Sequence, residues 1–190
     1  MSQSTARPMP LAYLGLGSNQ GARREHLQAA VDRLSAQDAL RVLGASPVYE
    51  TEAHTRPSSG PQPPFLNAVL RAAITDSPEA LLRTAHAVEG AEGRTRPAER
   101  WAPRPLDIDL LAVGQKTRQT DFLTLPHPRL GERRFVLRPW ADLAPNFPVP
   151  PPFEAPVHRL LADCPDDTAL RRTAHTLHVP PPDAPAPRAL

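Results

Sequence analysis

Residues 100–111, RWAPRPLDIDLL, carry the strongest chemical signal in the chain. Asp107 and Asp109 stand two apart in an otherwise apolar run that reads as a strand, so they share one face, and Leu106, Ile108 and Leu110 share the other. Two carboxylates on a half-buried face repel each other and lose hydration unless a cation joins them. Divalent ions with oxygen ligands resolve that conflict, and a pair of Mg2+ ions can hold a nucleotide triphosphate for in-line displacement. The competing reading is a strand whose acids face solvent or pair with arginine. Arg94, Arg96, Arg100 and Arg104 lie in the loop that feeds this strand. Guanidinium groups bind phosphate oxygens in bidentate fashion and stabilise transferring charge, which suits a metal-polyphosphate site. A solvated basic loop neutralised by Glu89, Glu92 and Glu99 is the alternative.

The elements that must position these groups follow from periodicity. Leu11–Leu16 reads as a short buried strand followed by a turn at Gly17, Ser18, Asn19 and Gly21. From Arg23 to Leu34, the spacing of Leu27, Ala30, Val31 and Leu34 predicts an amphipathic helix. Leu40–Thr51 and Phe65–Thr75 are β-rich with no helical pattern between them, which predicts an antiparallel hairpin with a long, proline-crowded tip. Ser77 as N-cap, Pro78 at the first helical position and the stripe Leu81, Leu82, Ala85, Val88 predict a second helix, ended by Gly90 and Gly93. Leu106–Val113 is the last strong strand. The resulting βαββαβ order predicts an α+β fold, a ferredoxin-like sandwich with both helices on one face of an antiparallel sheet. Beyond it, Phe122–Leu125 reads as a short strand and Arg133–Leu143 as a helical turn broken by Pro139.

A length of 190 residues fits one domain, and no apolar run approaches the roughly 18 to 20 residues that cross a bilayer. The N-terminus lacks the apolar centre of a secretory signal, and the single Cys164 allows no internal disulfide. These features predict a cytoplasmic protein. Of 26 prolines, thirteen lie from Pro139 onward, which predicts a loose arm at 1–10, a domain at 11–147 and a Pro-rich, extended C-terminal extension at 148–190 with one short helix at Val157–Ala162. A net charge of +2 does not mark a nucleic-acid binder, despite 21 arginines.

The chain resembles the 6-hydroxymethyl-7,8-dihydropterin pyrophosphokinases over roughly residues 11–147. The motifs that carry the resemblance are YLGLGSN at 13–19, SPVYETE at 46–52, FLNAV at 65–69, EGAEGRTR at 89–96, RWAPRPLDIDLL, and LPHPRLGERRFVLRP at 125–139, all in the family's order. The resemblance implies the ferredoxin-like fold and transfer of the β,γ-pyrophosphoryl group of ATP to a reduced pterin, giving AMP in folate biosynthesis. It implies that Asp107 and Asp109 bind two Mg2+ ions, and that Arg94 and Arg104 clamp the ATP phosphates. Arg96, His127 and Arg133 match further ATP contacts, with Glu89 beside the nucleotide and Trp101 folding over it. Phe65 and Phe135 match the rings that sandwich the pterin, and Asn67 the amide at its edge, helped by main-chain groups near Thr51 and His54. Two departures concern the Arg loop: Ala102 replaces a usual glycine, and Pro97 stands where some relatives carry a basic residue.

No nucleophile constellation is visible, so charge neutralisation and positioning are expected to do the catalysis, in a monomer acting on small molecules without nucleic acid or membrane. Two other readings exist. Gly15, Gly17 and Gly21 suggest a dinucleotide fingerprint, but their spacing is off by one and a hairpin follows where a parallel unit is required. The same element order serves RRM modules, yet the aromatic RNP strings are missing.

Overall fold

The computed structural model describes residues 9–53, 62–94 and 102–181. It is a mixed α/β fold around an antiparallel sheet. Strand β1 (Leu11–Ser18) leads through a turn at Gly21, which has φ +65°, into helix α1 (Arg23–Ser35). The expected turn at Gly17 and Ser18 is instead strand: β1 is a central strand, hydrogen-bonded on both edges, so its backbone groups find partners through Ser18. The second β segment is split at Ser46–Val48 into β2 (Leu40–Ala45) and β3 (Tyr49–Thr51), and both pair antiparallel with β4 (Phe65–Ile74). Ser46 makes the break, since its hydroxyl accepts a hydrogen bond from the Val69 amide. The expected hairpin is present; its tip at 54–61 lies outside the described residues.

Helix α2 (Pro78–Ala91) starts where Ser77 accepts a hydrogen bond from the Ala80 amide at 3.1 Å. It runs through Gly90 and stops before Gly93, whose φ of +89° suits a residue without Cβ. Strand β5 (Asp107–Val113) completes the order, antiparallel to β1. A small ribbon, β6 (Arg118–Gln119) with β7 (Thr124–Leu125), precedes a 3-10 turn at Leu130–Glu132.

Helix α3 (Arg134–Leu143) corrects the expected break at Pro139. Losing one backbone donor weakens a helix, but Val136, Leu137 and Trp140 are buried on its inner face, and that packing holds the turn together. Residues 148–172 also differ from an extended segment outside the domain. They form a ribbon of β8 (Pro148–Val149) with β9 (Ala155–Pro156), the expected helix α4 (Val157–Ala162), and β10 (Leu170–Arg172), which joins the edge of the main sheet beside β3. Val149 and Val157 are buried against α3, and apolar contact of this kind overrides the extended preference of proline.

The main sheet runs β10-β3-β4-β1-β5, with β2 also on β4. One face, through Leu14, Leu16, Leu66, Leu70, Ile108 and Leu110, packs on α1 and α2. The other, through Tyr13, Val69 and Leu111, packs on α3, where the Tyr13 and Trp140 rings lie 5.0 Å apart. Helix α3 covers only part of that second face. The uncovered end of the sheet holds the site.

Candidate functional site

Glycines make the opening. Gly17 of β1 pairs with Asn67 of β4 on one side and with Asp107 of β5 on the other, and Gly15 pairs likewise with Val69 and Asp109. Directly opposed residues of antiparallel strands project to the same face, so Asn67, Asp107 and Asp109 rise around a floor that has no side chains. A Cβ on Gly17 would sit 3.4 Å from the Asn67 Oδ1 and 3.6 Å from the Phe65 ring.

Two cavities meet over this floor. The narrower, about 120 Å3, is lined by Thr51, Phe65, Asn67 and Phe135 among others, so the structure brings these four of the five expected pterin residues into one place. The Asn67 amide is 5% exposed and donates to the Thr51 hydroxyl at 2.9 Å. The wider cavity, about 430 Å3, is lined by Glu89, Arg94, His127 and a further apolar strip. Arg104, Asp107, Asp109 and Arg133 line both. The larger volume suits a nucleotide, the smaller a flat ring, and the four shared charged groups mark where the two would touch.

The acids are held by arginine. Asp107 accepts from Arg94 and, at 3.0 Å, from Arg104, while Asp109 accepts from Arg133 at 2.6 Å. Burial pushes the Asp107 carboxyl up, but Arg104, Arg94 and Arg133 together outweigh it and hold the group below the ordinary carboxylate range. It is therefore ionised at neutral pH. Among the described residues no three acidic, histidine or cysteine groups gather into a closed metal cage. The donor set is instead two carboxylates on one face, open to the cleft, which fits a hard divalent ion that keeps water and phosphate oxygens in its shell.

His127 and Glu89 play different parts from each other. The Arg129 amide donates to His127 Nδ1 at 3.1 Å, and the Arg133 guanidinium lies 3.4 Å from Nε2. Burial, with Arg133 and Arg129 nearby, overcomes the pull of Asp109 and lowers its pKa, keeping the imidazole neutral. Glu89 is 1% exposed; its carboxylate accepts from Arg94 and from the Ile108 amide at 2.8 Å, so it anchors α2 to β5 and aims Arg94. His54, Arg96 and Trp101, together with Pro97, Glu99 and Arg100, lie outside the described residues.

Sequence reasoning missed two groups. Asn19 is fully buried, accepts from the Arg104 amide at 2.8 Å, and donates to Gln62 and the Pro63 carbonyl, so it joins the Arg loop to the base of the hairpin tip. Its sequence signals were a place in the turn after the first strand and at the end of YLGLGSN, neither of which marks a contact with Arg104. Phe122, 47% exposed, lines the wider cavity with Leu82, His86 and Thr124, its ring 5.8 Å from the Arg83 guanidinium and edge-on to His86. A single exposed aromatic is ordinary on a surface, and only the cavity singles it out.

The model of the family described as 7,8-dihydro-6-hydroxymethylpterin-pyrophosphokinase (HPPK) matches residues 13–145. The chain is 38% identical over 155 residues to a 2-amino-4-hydroxy-6-hydroxymethyldihydropteridine pyrophosphokinase of Pseudomonas aeruginosa, covering 80% of this chain and 91% of that protein. It is 40% identical over 141 residues to the Methylorubrum extorquens protein of the same name, covering 73% and 85%. The wild-type Plasmodium falciparum HPPK-DHPS crystal structure superposes with a TM-score of 0.61 at 12% identity over 84% of this chain, so it speaks to fold alone. The chain spans less than half of that structure, 45% of its length.

Proposed function

The chain belongs to the 7,8-dihydro-6-hydroxymethylpterin-pyrophosphokinase family, and from that premise we infer that it transfers the pyrophosphoryl group of ATP to the hydroxymethyl group of 6-hydroxymethyl-7,8-dihydropterin, giving AMP, a step of folate biosynthesis. The observation that carries the reading is the junction of the two cavities at Arg104, Asp107, Asp109 and Arg133. A substrate in the narrow cavity and a triphosphate in the wide one meet there, with cationic and anionic groups on both sides of the transfer.

In this reading Phe65 and Phe135 take the two faces of the pterin, and Asn67, its amide oriented by Thr51, hydrogen-bonds the edge together with the main chain near Thr51 and His54. A flat polar heterocycle needs that combination of ring faces and a few fixed donors and acceptors. Arg94, Arg96, Arg104, Arg133 and His127 bind phosphate oxygens, Glu89 keeps Arg94 aimed, and Trp101 closes over the nucleotide. The purine lies along Leu82, His86 and Phe122, at the end of the wide cavity away from the pterin. Asp107 and Asp109 would hold Mg2+, two ions in this reading, which supply neutralisation of the triphosphate charge. The arginines now paired with the acids are then released toward phosphate, so the resting ion pairs keep both partners in place before substrate arrives. Catalysis consists of alignment and electrostatic stabilisation, worth several kcal/mol each.

The βαββαβ order over β1 to β5 supports a ferredoxin-like core to which α3 adds a third layer. Action as a monomer on small molecules, without nucleic acid or membrane, is part of this reading. A cytoplasmic location is likewise part of this reading; no described helix is long and apolar enough to cross a membrane. The test is to incubate the purified chain with ATP and Mg2+, with and without the pterin. Pterin-dependent AMP is expected; ADP, or nucleotide turnover indifferent to pterin, overturns the reading.

A further inference from the structure

The narrow cavity has two walls that belong to different parts of the fold. One is the β3–β4 pair, with Thr51, Phe65 and Asn67; the other is the start of α3, with Arg133 and Phe135. Residues 166–173, outside the stretch that the family model matches, grip both. The Asp166 carboxylate accepts from the Arg134 amide at 3.1 Å, next to Phe135, and from the Thr168 amide at 3.0 Å. Four residues on, Leu170 pairs with Thr51 in β10, Arg171 with Glu50, and Arg172 with Tyr49. The Arg171 guanidinium meets Glu50 at 2.5 Å, and Thr173 donates its amide to the Val48 carbonyl at 2.9 Å.

The other side of Glu50 is tied as well: Arg23 of α1 donates to it at 3.1 Å and to the Pro64 carbonyl at 2.6 Å. β3 is only three residues long, and without β10 it would be a short edge strand with one partner. Its Thr51 hydroxyl is the group that orients Asn67.

We propose that residues 166–173 form a clasp that sets the separation of the two cavity walls, with Asp166 and Arg171 as positioning residues for the pterin. The proposal rests on reading that cavity as the pterin site. Asp166 holds the Arg134 amide beside Arg133, a group of both cavities, whereas the β10 contacts fall on β3 alone, so loss of the clasp acts chiefly on the pterin. Alternation along an antiparallel ladder makes Arg171, two residues before Thr173, a ladder donor toward β3. Arg171→Pro removes that donor at the sheet edge, and Asp166→Ala removes the link to α3.

Steady-state kinetics of the full-length chain, with thermal melting as a folding control, tests this. In Asp166→Ala and in Arg171→Pro the KM for hydroxymethyl-dihydropterin rises about fivefold or more, the scale of one lost hydrogen bond, while kcat and the KM for ATP stay within about twofold. Asp166→Asn keeps one of the two acceptor oxygens, enough for the Arg134 amide, and restores the pterin KM in part. An unchanged pterin KM in both variants, or equal rises for both substrates, overturns the clasp while leaving the functional reading intact. Absence of pterin turnover in the unaltered chain overturns that reading and the clasp with it.

Discussion

Asn67 and Asp107 flank the same residue: each is the direct cross-strand partner of Gly17, one on β4 and one on β5. Two strand spacings, roughly 10 Å, therefore separate the amide read as a pterin contact from the carboxylate read as a metal ligand. That distance is fixed by hydrogen-bonded backbone and does not depend on loops. Gly17→Ala should fold, since the new methyl would meet its neighbours at ordinary contact distance, 3.4 Å and beyond. It would nonetheless raise the floor between the substrates. We expect the pterin KM to increase about tenfold with a melting temperature close to that of the parent, read by paired kinetics and calorimetry.

Exchanging Asp107 and Asp109 for alanine should leave the circular dichroism spectrum unchanged and lower kcat by about a thousandfold or more, the scale of losing preorganised charge at a phosphoryl transfer. Titrating Mg2+ into the single variants checks the assignment, because each should require more metal for half-maximal rate. Full activity in the double variant would remove the metal role.

Asn19→Ala should cost about 1–3 kcal/mol in urea unfolding, as expected when a buried partner of a backbone amide is lost. Arg104 would lose its fixed origin, so the KM for ATP should rise too. A stability loss without any kinetic change would make Asn19 structural only.

Phe122→Ala should weaken ATP about five- to tenfold, in line with loss of base stacking, and Phe122→Trp should restore it. Equilibrium binding of Mg-ATP and of inorganic tripolyphosphate separates the contributions: only the nucleotide should respond.

Glu50 gives a pH dependence. Hydrogen bonding from Arg171, followed by Arg23, holds its carboxyl below the ordinary value of 4.5 against the opposing effect of burial. A depressed carboxyl contributes stability that is present above 4.5 and lost as pH falls through the folded-state value. Denaturation midpoints measured across that acid range should fall less steeply in Glu50→Gln than in the parent, with the two curves parallel at neutral pH.

Much of this was legible in the chain because local pattern and tertiary demand agreed. The alternation of Asp107 and Asp109 with Ile108 and Leu110 fixed which side of β5 bears charge, and Ser77 with Pro78 marked the start of α2. Asn19 and Arg104 are 85 residues apart, and no periodicity records such a contact. Glu89 was read as a nucleotide neighbour from resemblance, though its place four residues after Ala85 on the apolar stripe already pointed inward. Pro139 misled because proline's local cost was weighed without the burial of Trp140 and Leu137. β10 escaped because Leu-Arg-Arg between proline-rich stretches has one apolar residue and no period; its partner strand supplies the order.

The central claim is that two phosphates move together. ATP labelled separately at its β and γ phosphorus, mixed with the chain, Mg2+ and hydroxymethyl-dihydropterin, should deliver both labels to the pterin product with one AMP for each pterin consumed. Arrival of the γ label alone, with ADP left behind, would contradict the account.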